Sequence, residues 1–365
     1  MRRCHCHPAS GRSPPTGPAY PVASDPNFVL VREPMEPERE KAWLQGLMTK
    51  EAAVRRILVL VVGVLALVGF APVADIPEFT DWLEVVNMGP VVNSSVADSC
   101  VTISKNGLSL FFSSTRNAGM SRDLFVSERE STDADWGTPE PLETLNTTVW
   151  ESCPALSLDE HRLYFTAPQG PYGGCGAGNS NDIFVSRRQD RRYDFGWEPP
   201  VNLGCAPSGP NSASGDQTPA LFEDEAGRVL LYLASNRSGN WDHYQSVMSD
   251  DDSFGPATAL TELNSTSTDQ GITVRRDGLE VFFLSNRPGG SGSGGLDFWR
   301  ATRTSTADPW EEPEFVPSLG NPSWAQGKIS LSFDGRELYF TSWNEPTSGS
   351  ADLWVARRER VRGKK

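Results

Sequence analysis

Hydrophobic positions along the chain fall in short runs separated by polar, glycine-rich stretches, and one aromatic run recurs five times. Its copies are Leu110-Phe111-Phe112-Ser113-Ser114, Leu163-Tyr164-Phe165-Thr166, Leu231-Tyr232-Leu233-Ala234-Ser235, Val281-Phe282-Phe283-Leu284-Ser285 and Leu338-Tyr339-Phe340-Thr341-Ser342. Registered on Phe112, Phe165, Leu233, Phe283 and Phe340, they lie 53, 68, 50 and 57 residues apart. Most are preceded by a turn ending in Gly: Asn106-Gly107, Ala226-Gly227, Asp277-Gly278 and Asp334-Gly335. Asn-Gly and Asp-Gly between apolar runs mark a hairpin, because both central turn residues take positive φ. The second copy has Asp159-Glu160-His161 instead.

A Gly/Ser/Asn-rich loop follows each aromatic run, and then Asp123, Asp182, Asp242, Asp297 or Asp352 opens the next strand. A further segment runs from an aromatic to Leu-Asn or Leu-Gly, as in Trp136 to Asn146, Trp197 to Gly204, Phe254 to Asn264 and Trp310 to Gly320. With the short strand ahead of the Gly turn, each unit has four strands, too few to bury their own faces. The predicted fold class is all-β, a ring of such sheets: a five-bladed β-propeller. The last copy ends near Arg358 without its fourth strand, while Trp82 to Asn93 (WLEVVNMGPVVN) parallels Trp136 to Asn146. An amino-terminal strand is therefore predicted to complete the last blade, leaving no open sheet edge.

The repeat resembles the WD40-like propeller repeat of bacterial envelope proteins, as in the propeller of the Tol system's periplasmic component. The likeness is clearest from Asp277-Gly278 through Phe282-Phe283-Leu284-Ser285-Asn286-Arg287-Pro288-Gly289-Gly290 to Asp297-Phe298-Trp299, and Ser235-Asn236-Arg237 repeats part of it. The second and fifth copies lack that arginine. The resemblance covers roughly residues 82 to 358 and implies a propeller, not an activity. Five repeats with no further α/β domain ahead of them depart from the Tol component.

Ahead of the repeats, Ile57 to Phe70 (ILVLVVGVLALVGF) follows Arg55-Arg56. Fourteen apolar residues fall short of the ~20 a membrane span needs and suit a signal peptide. The expected organisation is an extension at 1–47, non-native or disordered, a signal peptide at 48–74 and one propeller domain at 75–365. Cleavage after Ala74 competes with an uncleaved anchor behind a cytoplasmic tail. A periplasmic or secreted location follows.

Composition narrows the function. Of 33 basic and 47 acidic side chains, residues 75–365 keep 24 and 41, a net of −17, which excludes a general nucleic-acid binder. With His5 and His7 upstream, only His161 and His243 remain, too few for a His-rich zinc site. Cys100, Cys153, Cys175 and Cys205 permit two disulfides in an exported chain. Cys100 with Cys153 would join adjacent blades, and Cys175 with Cys205 would staple a long loop; four free thiols are the alternative. Serine-nucleophile signatures, P-loops and dinucleotide fingerprints are absent from the repeats.

Each copy has an Asn five residues before a polar side chain: Asn93 with Asp98, Asn146 with Glu151, Asn211 with Asp216, Asn264 with Asp269, and Asn321 with Gln326. The second members open the inner strands and would meet at one channel mouth. Three readings stand. Converging carboxylates suit a hard cation such as calcium or a polar ligand; a pair could perform glycoside hydrolysis; or each acid bonds backbone amides as part of the repeat. The opening aspartates Asp123, Asp182, Asp242, Asp297 and Asp352 read as caps on loop amides. Trp136, Trp197 and Trp310 read as packing, while Trp150, Trp241, Trp324 and Trp343 are candidates for stacking on a sugar. The main expectation is a monomeric, non-enzymatic envelope scaffold that binds a protein or glycan ligand, and the alternative is a carbohydrate-active enzyme.

Overall fold

Each aromatic run carries two large side chains in succession, and consecutive residues of a strand point to opposite faces. Such a strand is buried on both faces, between two neighbouring sheets. In the computed structural model the described residues are Lys41, 78–117, 121–169, 173–176, 180–292, 295–319, 327–343 and 350–361. The chain divides into Met1–Ile76 and Pro77–Lys365, and Lys41 apart, the described residues belong to the second unit. The expected extension and signal peptide otherwise lie outside the described residues, as do Asn321, Trp324 and Gln326.

The second unit is a five-bladed β-propeller of antiparallel four-stranded sheets. Blade 1 holds β2 (Asp98–Ile103), β3 (Ser109–Ser114), β4 (Asp123–Glu128) and β5 (Glu140–Pro141). Blade 2 holds β6 (Ser152–Leu156), β7 (Arg162–Pro168), β8 (Asn181–Arg187) and β9 (Val201–Asn202). Blade 3 holds β10 (Asp216–Glu223), β11 (Val229–Ser235), β12 (Asp242–Val247) and β13 (Thr258–Ala259). Blade 4 holds β14 (Asp269–Val274), β15 (Glu280–Ser285), β16 (Asp297–Thr302) and β17 (Glu314–Phe315). Blade 5 joins β18 (Ser330–Leu331), β19 (Glu337–Ser342) and β20 (Asp352–Arg357) to β1 (Glu84–Asn87) from the front of the chain. The closing pairing runs from Glu84 opposite Arg357 to Asn87 opposite Trp354.

Five hydrophobic clusters fill the five junctions between blades. Phe111 packs towards blade 2 and Phe112 towards blade 5, while Phe282 faces blade 5 and Phe283 faces blade 3. All four side chains are fully buried, a contribution of roughly 1.5–3 kcal/mol each. Further out, an arginine stacks on the outer tryptophan of four blades, Arg129 on Trp136, Arg188 on Trp197, Arg303 on Trp310 and Arg358 on Trp82, at 4.1 to 4.7 Å, while blade 3 has Phe254 at that position. This contact explains the recurring tryptophan as packing.

The inner strands are kinked. Two residues after each mouth acid, Cys100, Cys153, Thr218 and Gly271 take φ of 54°, 55°, 53° and 66°, where the register with the next strand slips. Such bulges re-aim the inner strand next to the channel. Both candidate disulfides are formed, Cys100–Cys153 across blades 1 and 2 and Cys175–Cys205 between the β7–β8 loop and the linker after β9. Among the described residues no helix is long and apolar enough to cross a membrane.

Candidate functional site

Among the described residues the repeating asparagines and acids are stitched together at the mouth where the inner strands begin. Each of the four described Asn carboxamides pairs with one residue of the third strand as if it were backbone. Asn211 accepts from Ile183 N at 2.9 Å and donates to its carbonyl at 3.0 Å. Asn93 does the same with Leu353, Asn146 with Leu124 and Asn264 with His243. The Ser or Thr that follows turns its N–H and hydroxyl onto the acid four residues on. Ser94 reaches Asp98 at 2.6 and 2.7 Å, Ser212 reaches Asp216 at 2.5 and 2.8 Å, and Ser265 reaches Asp269 at 2.6 and 2.8 Å.

The second oxygen of each aspartate takes an arginine from the end of the second strand. Arg116 meets Asp98, Arg237 meets Asp216 and Arg287 meets Asp269, each at 2.6 Å. The same guanidinium donates to the linker carbonyls Val92 O, Pro210 O and Leu263 O, and its Nε to a serine hydroxyl. All three aspartates are fully buried. Their oxygens are directed into these clasps, and among the described residues no three His, Cys, Asp or Glu side chains converge on a metal position.

Blade 2 departs from this plan. Glu151 keeps the turn contacts, with Thr147 N at 3.2 Å and its hydroxyl at 2.5 Å. The position matching Arg116, Arg237 and Arg287 is Gln169, whose amide goes to Ser180 at 2.7 Å. Among the described residues no arginine pairs with Glu151. Burial pushes its carboxyl up to about 7, against the two bonds from Thr147, and the neighbouring Asp123 charge adds to the rise.

The other predicted residues sort cleanly. Asp123, Asp182, Asp242 and Asp297 accept from the loop before them, through Asn117, Cys175 N, Ser238 and Ser291 N respectively. Asp352 accepts from Asn87 of the closing strand at 2.8 Å. Burial raises the Asp182 carboxyl, opposed by Asn202 and Cys175 N. Trp150 and Trp241 precede Glu151 and Asp242 at this mouth and are half-buried, and Trp343 is half-buried too. His243 is buried between blades 3 and 4, edge-on to Phe283 at 5.2 Å, with neither ring nitrogen bonded.

Two features escaped the repeat alignment. Glu280 in β15 receives Arg275, Arg300 and both terminal nitrogens of Arg358, a hub joining blade 4 to the end of blade 5. Burial works to raise its carboxyl, but the arginines, Arg358 foremost, hold it below its ordinary value. The other is Lys328, a charge at the inner-strand position occupied elsewhere by Cys100, Cys153, Thr218 and Gly271. Reading down that column would have exposed it.

No protein-family model and no curated protein matches the chain. Among solved structures, it is similar to the Podospora anserina α-L-arabinofuranosidase PaAbf62A in complex with cellotriose, at TM-score 0.50 and 14% identity over 77% of this chain and 98% of that one. The endo-arabinase from Bacteroides thetaiotaomicron gives 0.48 and 16%, over 79% and 99%. A putative TolB from Agrobacterium tumefaciens gives 0.41 and 13%, over 78% and 99%. At these identities the likeness is one of fold.

Proposed function

We infer that the protein is an exported, carbohydrate-directed propeller whose acid chemistry resides in Glu151. The observation carrying this reading is that Glu151 alone among the described mouth acids lacks an arginine, and its carboxyl is raised to about 7. A general acid works best with a pKa near the operating pH. Glycoside hydrolysis needs a second carboxylate, and Asp123 is close enough for its charge to act on Glu151. Trp150 and Trp241 offer aromatic faces for a sugar ring at the same mouth. A sugar-acting enzyme built on a similar scaffold, the Podospora arabinofuranosidase, agrees with the reading without carrying it.

The test is release of sugar from arabino-, xylo- and gluco-oligosaccharides by the full chain and by Glu151→Gln. Turnover lost in the variant, with folding intact, is the expected result. A second reading, a non-enzymatic envelope scaffold binding a glycan or protein, is favoured by one observation: Glu151 is fully buried. It predicts oligosaccharide binding, or none, with no turnover in either protein.

A further inference from the structure

At the far end of the channel the inner strands close around a cavity of about 130 Å³, lined by Thr102, Ala155, Thr273, Ser330 and Lys328. Lys328 is 3% exposed, and its ammonium donates to Pro154 O. Among the described residues no carboxylate pairs with it. A buried cation without a counter-charge is costly unless something supplies one.

We propose that this cavity binds a small organic monocarboxylate, whose negative charge meets the Lys328 ammonium. Charge and size set the ligand class. The groups facing the cavity from the other blades are Lys105, Glu160, Glu223 and Arg276, so with Lys328 three cations stand against two acids. Glu160 is engaged by Lys105 N at 2.6 Å, and Lys105 and Arg276 flank the Phe333 ring at 4.7 and 4.3 Å. One negative charge completes the balance. A cavity of about 150 Å³ holds benzene, so this one takes about four to six heavy atoms. Ile103, Val274 and Ile329 in its wall suit a short hydrocarbon tail.

Burial lowers the Lys328 ammonium to about 7, so the cation is lost as the solution turns alkaline and the anion should leave with it. The experiment is calorimetric titration of the full chain with acetate, propionate, butyrate and pyruvate, and with inorganic phosphate, at pH 6 and pH 9. Monocarboxylates are expected to bind at pH 6 and at least tenfold more weakly at pH 9. Lys328→Met should abolish binding. Lys105→Met, a change at an exposed rim residue, should weaken it several-fold and covers the case in which Lys328→Met does not fold. No carboxylate binding at pH 6, equal affinity at both pH values, undiminished affinity in either variant, or binding of phosphate alone would overturn the assignment.

Discussion

Arg237 reaches the Asp216 carboxylate at 2.6 Å, and among the described residues the matching contact is missing in blade 2, where Gln169 stands at the arginine's position and turns to Ser180. Two changes, Glu for Asp and Gln for Arg, thus turn a repeated clasp into an acid with no arginine partner among the described residues. Because the folded carboxyl titrates near 7 and its ordinary value is 4.5, its contribution to stability is intact below pH 4.5 and lost as pH rises through 7. Glu151→Gln should therefore stabilise the protein at pH 8 by about 2 kcal/mol and leave it unchanged at pH 4. Urea unfolding at the two pH values measures the difference.

The Glu280 hub predicts the opposite sign. Removing that charge leaves Arg358 buried without a carboxylate at the junction of blades 4 and 5, and Arg275 with Asp277 alone. Glu280→Gln should cost about 3–5 kcal/mol, read from the urea midpoint at neutral pH.

His243 makes a separate acid limb. Burial lowers its imidazole to about 4 from an ordinary 6.5, so the unfolded chain binds the proton first, and stability falls as pH drops from 6.5 to 4. The loss should approach about 3 kcal/mol. His243→Phe, which leaves no unbonded ring nitrogen, should flatten that limb in a thermal-unfolding series.

The disulfides close stretches of 53 and 30 residues. On loop entropy each adds about 4 kcal/mol, so reduction should lower the melting temperature markedly. Cys100→Ser with Cys153→Ser should reproduce about half of that shift in calorimetry, since the two bridges contribute similarly.

Much of this was legible in the sequence because the repeat is written in residue types with strict geometric needs. The doublet Phe111-Phe112 announces a strand buried on both faces, and Trp82 to Asn93 announces the closing strand, since each matches its counterparts in the other copies. The Asn-to-acid spacing located the mouth ring, and the absence of the arginine from the second copy was visible there. What spacing did not reveal was the consequence for Glu151, because the partner of a carboxylate depends on which strand ends meet across the blade. Lys328 is the one charge in an otherwise small column, and Glu280 is inconspicuous because Glu337 stands at the same place in the last copy; what spacing did not show is that their partners Pro154 and Arg358 come from other blades.

The most direct measurement is a carbon-13 NMR titration of the Glu151 carboxyl in the wild type and in Gln169→Arg. The predicted result is a midpoint near 7 in the wild type and a downward displacement once the arginine restores the clasp. A midpoint near the ordinary 4.5, unmoved by Gln169→Arg, would contradict the assignment of Glu151 as the acid of the channel mouth.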